Sequence, residues 1–338
     1  MEDIDWDHLP PTTAPSVPVS VRGFSDPDVA RRLGEAVGEA VMTAGSFFDL
    51  STLEGVTVGV DYDDVLASID QGMEGLKPLS RTDNAEVQGA AKTCQVLRDG
   101  KVLSHIALNA GPVYALIEGE DAKPDDLRLA VGIIAHECGH VEINARMEAL
   151  VPDARLGSKI DDFERAVLFQ IADIVWDEYA VCRLTHRLSP RQNEQHAETI
   201  VTAVPGARAR ANAAIRAFRH HGNDYRVIGE AGAELCQPLK LAAYLLGGMD
   251  AAGLSWTDFP EARAAIESEG YAPLVDRMHA ICGALWDDQD KWSPDKDVLA
   301  PLIDIGRDAF RDGGIVFVKD PFGAWRIHVP LTPQTMPE

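Results

Sequence analysis

The chain has 338 residues, with 31 Lys plus Arg against 54 Asp plus Glu and a net charge of −23. An acidic excess of that size repels phosphate backbones and argues against a nucleic-acid partner, while 46% apolar and 25% charged residues are ordinary for a soluble protein. There is no apolar run long enough for a membrane span and no basic, apolar leader. Five scattered cysteines (Cys94, Cys138, Cys182, Cys236, Cys282) form no C-x-x-C pair, so reduced thiols and a cytoplasmic location are expected.

Residues 1–24 are acidic and then rich in Pro, Thr and Ser, which predicts a flexible tail. "DPDVARRLGEAVGEAVMTAGSFF" (26–48) has helical spacing, with Asp26 or Asp28 as its cap. "GVTVGVDY" (55–62) alternates as a strand and leads into a short helix. Two β-prone runs within 90–111 flank Asp99-Gly100, a dipeptide that suits a type I′ hairpin turn. The second run, about 101–108, passes through a Gly/Pro stretch into a helix that begins at Asp125 or Asp126, just after Pro124. Leu127, Ala130, Ile134 and Cys138 recur there at three and four residues, the mark of one buried face. Residues 151–158 read as a loop. Residues 158–190 read as one long helix, opened by a Ser158/Asp161 capping box and ended by Ser189-Pro190. These elements make a core over 25–190. A helical lobe follows over 191–312, and then a C-terminal hairpin and tail over 313–338, turning at Asp320-Pro321-Phe322-Gly323.

The chemistry concentrates at His136-Glu137-Cys138-Gly139-His140, an H-E-x-x-H pattern. The two imidazoles are one helical turn apart and face the same way. Both can bind one Zn²⁺ at about 2.0–2.1 Å, and Glu137, next to a ligand, can take a proton from the activated water. A catalytic zinc wants a third protein ligand and an open position. Cys138 reads as a small buried residue rather than a nucleophile.

At these residues the chain resembles the zincin metallopeptidases, from about Val56 to Leu188. The resemblance rests on the strand, the hairpin ending in "HIALN", the "AHECGHVEI" helix, and a second helix with "WDEYAVCR". It is most similar to gluzincin-like proteins of the ImmA/IrrE type, which carry an I-x-L-N strand before A-H-E-x-G-H. The resemblance implies an α+β fold with a zincin-like core: a small mixed sheet, its edge strand at about 101–108, and the H-E-x-x-H helix. It implies Zn²⁺ as cofactor, a protein or peptide substrate, and Glu137 as general base.

For the third ligand, the metzincin extension fails, because Ile143 and Arg146 stand where Gly and His are required. A gluzincin takes a Glu from the following helix, which here offers Asp173, Asp177 and Glu178. Glu178 falls on the apolar face of Val167, Ile171, Ile174 and Val181, whereas Asp173 and Asp177 lie on a more polar side with Ala166 and Gln170. A carboxylate on a buried face needs a cation or donors. Glu178 is therefore the expected ligand; the alternatives are an ion pair at that position, or an aspzincin-like arrangement through Asp177. Many gluzincins place an Asp four residues after the ligand, and here that position is Cys182. His186 is two turns from Glu178, about 12 Å along the axis, too far for the same metal. His220, His221 and Tyr225 form either a polar loop or a source of oxyanion stabilisation. Two other functions fit the sequence: a zincin-fold regulator that holds zinc without cleaving anything, and an acidic DNA mimic.

Overall fold

The computed structural model describes residues 4–81 and 89–336; residues 1–3 of the predicted tail and the last two of the chain lie outside them. The chain is mixed α+β. It divides into two compact units, Met1–Ser158 with Leu184–Gln192, and Lys159–Arg183 with Asn193–Glu338.

The first unit holds β1 (Val19–Arg22), α1 (Pro27–Ala44), β2 (Leu53–Gly59), α2 (Tyr62–Ser68), β3 (Ala91–Arg98), β4 (Lys101–Asn109), α3 (Ala110–Val113) and α4 (Pro124–Leu150). Its sheet has the order β1-β2-β4-β3, with β1, β2 and β4 parallel and β3 antiparallel to β4. Asp99 and Gly100 both take positive φ, 49° and 77°, which closes the β3–β4 hairpin with Arg98 opposite Lys101. α1 packs on β1 and α4, α2 on β2 and β4, and α4 on β3 and β4.

Two expectations for this unit are corrected. Residues 1–24 are not simply a tail. Val19, Ser20, Val21 and Arg22 pair with Val56–Gly59, and Ile4 and Ala14 are buried. The Pro-rich composition hid a V-x-V-x-V alternation from Val17 to Val21, and Thr13 ties the segment down, its hydroxyl donating to the Phe48 carbonyl at 2.6 Å with the Gly45 carbonyl 2.9 Å away. The second correction concerns the sheet edge. β4 is paired on both sides, by β2 and by β3, so the 101–108 strand is internal and the terminal strands of the sheet are β1 and β3.

α4 is buried along Ala130, Ile134, Cys138 and Val141, while Leu127 is 40% exposed and lies off that stripe. Ile106, Leu108, Ile134 and Cys138 share the core with Leu33, Val37 and Val41 of α1.

The second unit holds α5 (Phe163–Thr185), α6 (Gln192–Ala203), α7 (Ala207–His221), α8 (Asp224–Ala252), α9 (Pro260–Ser268), α10 (Ala272–Asp287), α11 (Ala300–Asp312), β5 (Val316–Lys319) and β6 (Trp325–His328). α5 starts five residues later than the Ser158/Asp161 box predicts. Asp162 accepts from the Arg165 N–H at 3.0 Å and takes the capping role, while the Ser158 hydroxyl donates to the Asp153 carbonyl. α8 packs against α7, α10 and α11. β5 and β6 pair antiparallel around a turn at 320–324, which Asp320 holds by accepting from the Phe322 and Ala324 N–H groups. Among the described residues no helix is long and apolar enough to cross a membrane.

Candidate metal centre

α4 delivers His136 and His140. Both rings are half-buried, with Nε2 atoms 3.0 Å apart and ring planes at 85°. Two nitrogens bound to one tetrahedral zinc at the usual bond length would lie roughly 3.3 Å apart, so the pair is close to a chelating geometry without rearrangement. Glu137 follows His136 by one residue and so projects about 100° around the helix, toward β3. It is buried, and its Oε2 accepts from the Thr93 hydroxyl at 2.7 Å; the same hydroxyl lies 2.9 Å from the Glu137 carbonyl. Nothing in the sequence pairs Glu137 with Thr93. Alternation along β3 puts Thr93 on the α4 side together with Gln95, which donates to Glu148 at 3.3 Å. Which strand residue meets which helical turn is a tertiary fact with no local signal.

Cys138, between the histidines, is fully buried, and burial followed by the charge of Glu137 pushes its thiol well above the ordinary range. It is a packing residue and not a nucleophile.

α5 delivers Glu178, which is 7% exposed. Its Oε1 accepts from the Tyr244 hydroxyl at 2.5 Å and lies 3.3 Å from the Lys240 ammonium. Cys182, one turn further along α5, is buried, with its Sγ 3.7 Å from His196 Nε2; burial, then Glu178 and Asp177, push its thiol well up. The His196 ring packs on Tyr244 with centroids 5.0 Å apart. Glu178 is buried for a reason other than the predicted one. Ile174, on the supposed inward face, is 43% exposed, whereas Tyr179, Ala180, Val181 and Cys182 are all buried, so the last turns of α5 are covered on several sides.

The ligand atoms of His136, His140 and Glu178 all lie within 4.8 Å of one another, and this group could hold a metal ion. Two imidazole nitrogens and one carboxylate oxygen are a donor set that divalent first-row metals accept, leaving a coordination position for water. Among the described residues Asp177 joins no such group. The other candidates do not form a loop: His220 and His221 end α7 and Tyr225 lies in the first turn of α8. Tyr225 is 76% exposed and packs edge-on against Phe163, and His221 Nδ1 accepts from the Asn223 N–H.

Asp173, one turn before Asp177, is lifted by burial, and then by the Asp177 charge, from the ordinary 3.8 to about 7. A carboxyl raised in the folded state adds stability that is fully present below its unfolded pKa and is lost as pH rises through the folded one. The window here runs from roughly pH 4, the unfolded value, to about 7. Asp173→Asn in metal-free protein should therefore be nearly neutral at about pH 4 and stabilising by roughly 2–4 kcal/mol at about pH 8. Denaturant unfolding at both pH values measures this, and an equal effect at both would refute it.

No family model, curated protein or solved structure matches the chain.

Proposed function

We propose that the chain is a zinc-dependent metallopeptidase with a zincin-like core, acting on a protein or peptide. The observation that carries this reading is the convergence of His136, His140 and Glu178 ligand atoms within 4.8 Å on the H-E-x-x-H helix and its successor. A His₂Glu set is typical of catalytic zinc in peptidases. Bound there, zinc would supply a Lewis acid that polarises the scissile carbonyl and acidifies water. Glu137 takes the proton of the attacking water and passes it to the leaving amine, so the C–N bond breaks with the proton balanced. Thr93 holds Oε2 of that carboxylate by donating to it, and in this reading the other oxygen carries the proton. The buried, neutral thiols of Cys138 and Cys182 take no part.

β3, a terminal strand of the sheet on which α4 packs, is the strand on which an extended substrate would add, along the part of its outer side that precedes Leu97, whose N–H already donates to the Gln71 carbonyl. Its Lys92, Gln95 and Arg98 are half-buried polar residues of the kind terminal strands carry.

The direct test is metal content of the purified protein together with cleavage of unstructured peptides before and after chelation. One zinc per chain, activity lost on chelation and regained with zinc, and poor cleavage of backbone N-methylated peptides are expected. Cleavage that survives complete metal removal would refute the reading.

A further inference from the structure

Glu178 is held by two donors of different kinds. Lys240 and Tyr244 are four residues apart on α8, one turn, so their side chains share a face. Both reach the same oxygen, Oε1: the Tyr244 hydroxyl at 2.5 Å and the Lys240 Nζ at 3.3 Å. Lys240 also sits 5.6 Å from the Tyr244 ring centroid, and His196 packs on that ring, so the phenol is braced by neighbours. A buried carboxylate needs donors to be tolerable, and the tyrosine provides one without adding charge. The lysine adds a positive charge beside a carboxylate whose other neighbours, His136 and His140, gather around a position for a cation.

Two donors on one oxygen fix the carboxylate plane and its rotamer, which is what a ligand needs in order to be pre-organised. Their electrostatic effects nevertheless differ in sign. A neutral hydroxyl leaves the carboxylate's attraction for a dication nearly intact. An ammonium compensates the carboxylate before any metal arrives and repels the metal when it does. We propose that Tyr244 is a positioning residue that tightens metal binding through Glu178, and that Lys240 is a built-in counter-cation that weakens it, so that the centre holds its metal exchangeably. This rests on the reading of His136, His140 and Glu178 as the ligands. Lys240 is one-third exposed, so its influence is screened by salt while that of Tyr244 is not.

The experiment is zinc affinity by competition with a chromogenic chelator, at low and at high ionic strength, on the full chain and its Tyr244→Phe and Lys240→Met variants. Metal-free melting curves report whether each variant folds, and Lys240→Gln replaces Lys240→Met if the latter does not. Tyr244→Phe should weaken zinc about 10–100-fold at both ionic strengths. Lys240→Met should bind zinc about tenfold more tightly at low salt, with the advantage shrinking at high salt. The absorption spectrum of the Co²⁺-loaded protein should shift in Tyr244→Phe, because the carboxylate is reoriented. Unchanged affinity in Tyr244→Phe, or weaker binding in Lys240→Met, would overturn the proposal while leaving the metal centre standing. Failure of the unmodified chain to bind zinc would overturn both.

Discussion

Glu137→Gln is expected to abolish peptide-bond cleavage while leaving the metal bound and the fold intact. The amide is nearly isosteric with the carboxylate, and its oxygen can still accept from the Thr93 hydroxyl that now holds Oε2 at 2.7 Å. The buried contact between α4 and β3 therefore survives, and little stability is lost. What disappears is the ability to accept a proton. Removing a positioned general base costs about 10²–10⁴-fold in rate, or roughly 3–5 kcal/mol of barrier. Glu137→Ala would confuse the result, because it leaves Thr93 without its carboxylate partner and opens a cavity at a position 5% exposed. The decisive measurement is turnover on a validated substrate, with zinc content and melting temperature on the same preparation. Full activity with zinc bound would remove Glu137 from the mechanism.

The histidine pair and Glu137 could be read from the sequence because their relation is local. Two residues four apart on a helix share a face whatever the rest of the chain does. The neighbours of these groups are set by long-range packing, and Thr93, Tyr244 and Lys240 carry no pattern that names their partner. The sheet edge is a different case. "IAL" at 106–108 is a continuous apolar run, all of it buried, as expected of a strand covered on both faces. "KTCQVLR" in β3 alternates and carries two cations, as edge strands do. The edge expectation for 101–108 came from the zincin resemblance, in which the strand before the H-E-x-x-H helix lies at the sheet edge, and the composition of β3 and β4 points the other way. The 17–21 alternation was lost beneath a Pro-rich composition. On α5 the facing argument selected Glu178 through Ile174, a residue that turned out exposed. A helix covered on several sides has no single inward face for periodicity to find.

The ligand assignment itself predicts a contrast between neighbours. Glu178→Gln should lose the metal, and Asp177→Asn should keep it. Glu178 is 7% exposed, and its carboxylate is the sole anionic donor in the group with His136 and His140. Replacing it by an amide keeps a hydrogen bond from Tyr244 but leaves Lys240 facing a neutral group and the dication without its anionic ligand. Loss of affinity of at least about 100-fold follows, since removing even an outer-shell partner costs 10–100-fold. The loss has a thermal signature. Zinc at a hundredfold excess over its dissociation constant stabilises the native state by about 2.7 kcal/mol, and the same zinc acting on a site weakened 100-fold adds only about 0.4 kcal/mol. Glu178→Gln should therefore melt at nearly the same temperature with and without zinc, whereas the unmodified protein gains several degrees. Asp177 lies about 100° around α5 from Glu178, and its charge raises the pKa of Asp173. Asp177→Asn removes that repulsion, so it should keep the zinc-induced shift and be neutral to slightly stabilising in the metal-free protein at neutral pH. Calorimetric melting of both variants with zinc and with chelator separates the two carboxylates. The reverse pattern, zinc response lost in Asp177→Asn and kept in Glu178→Gln, would move the third ligand to Asp177.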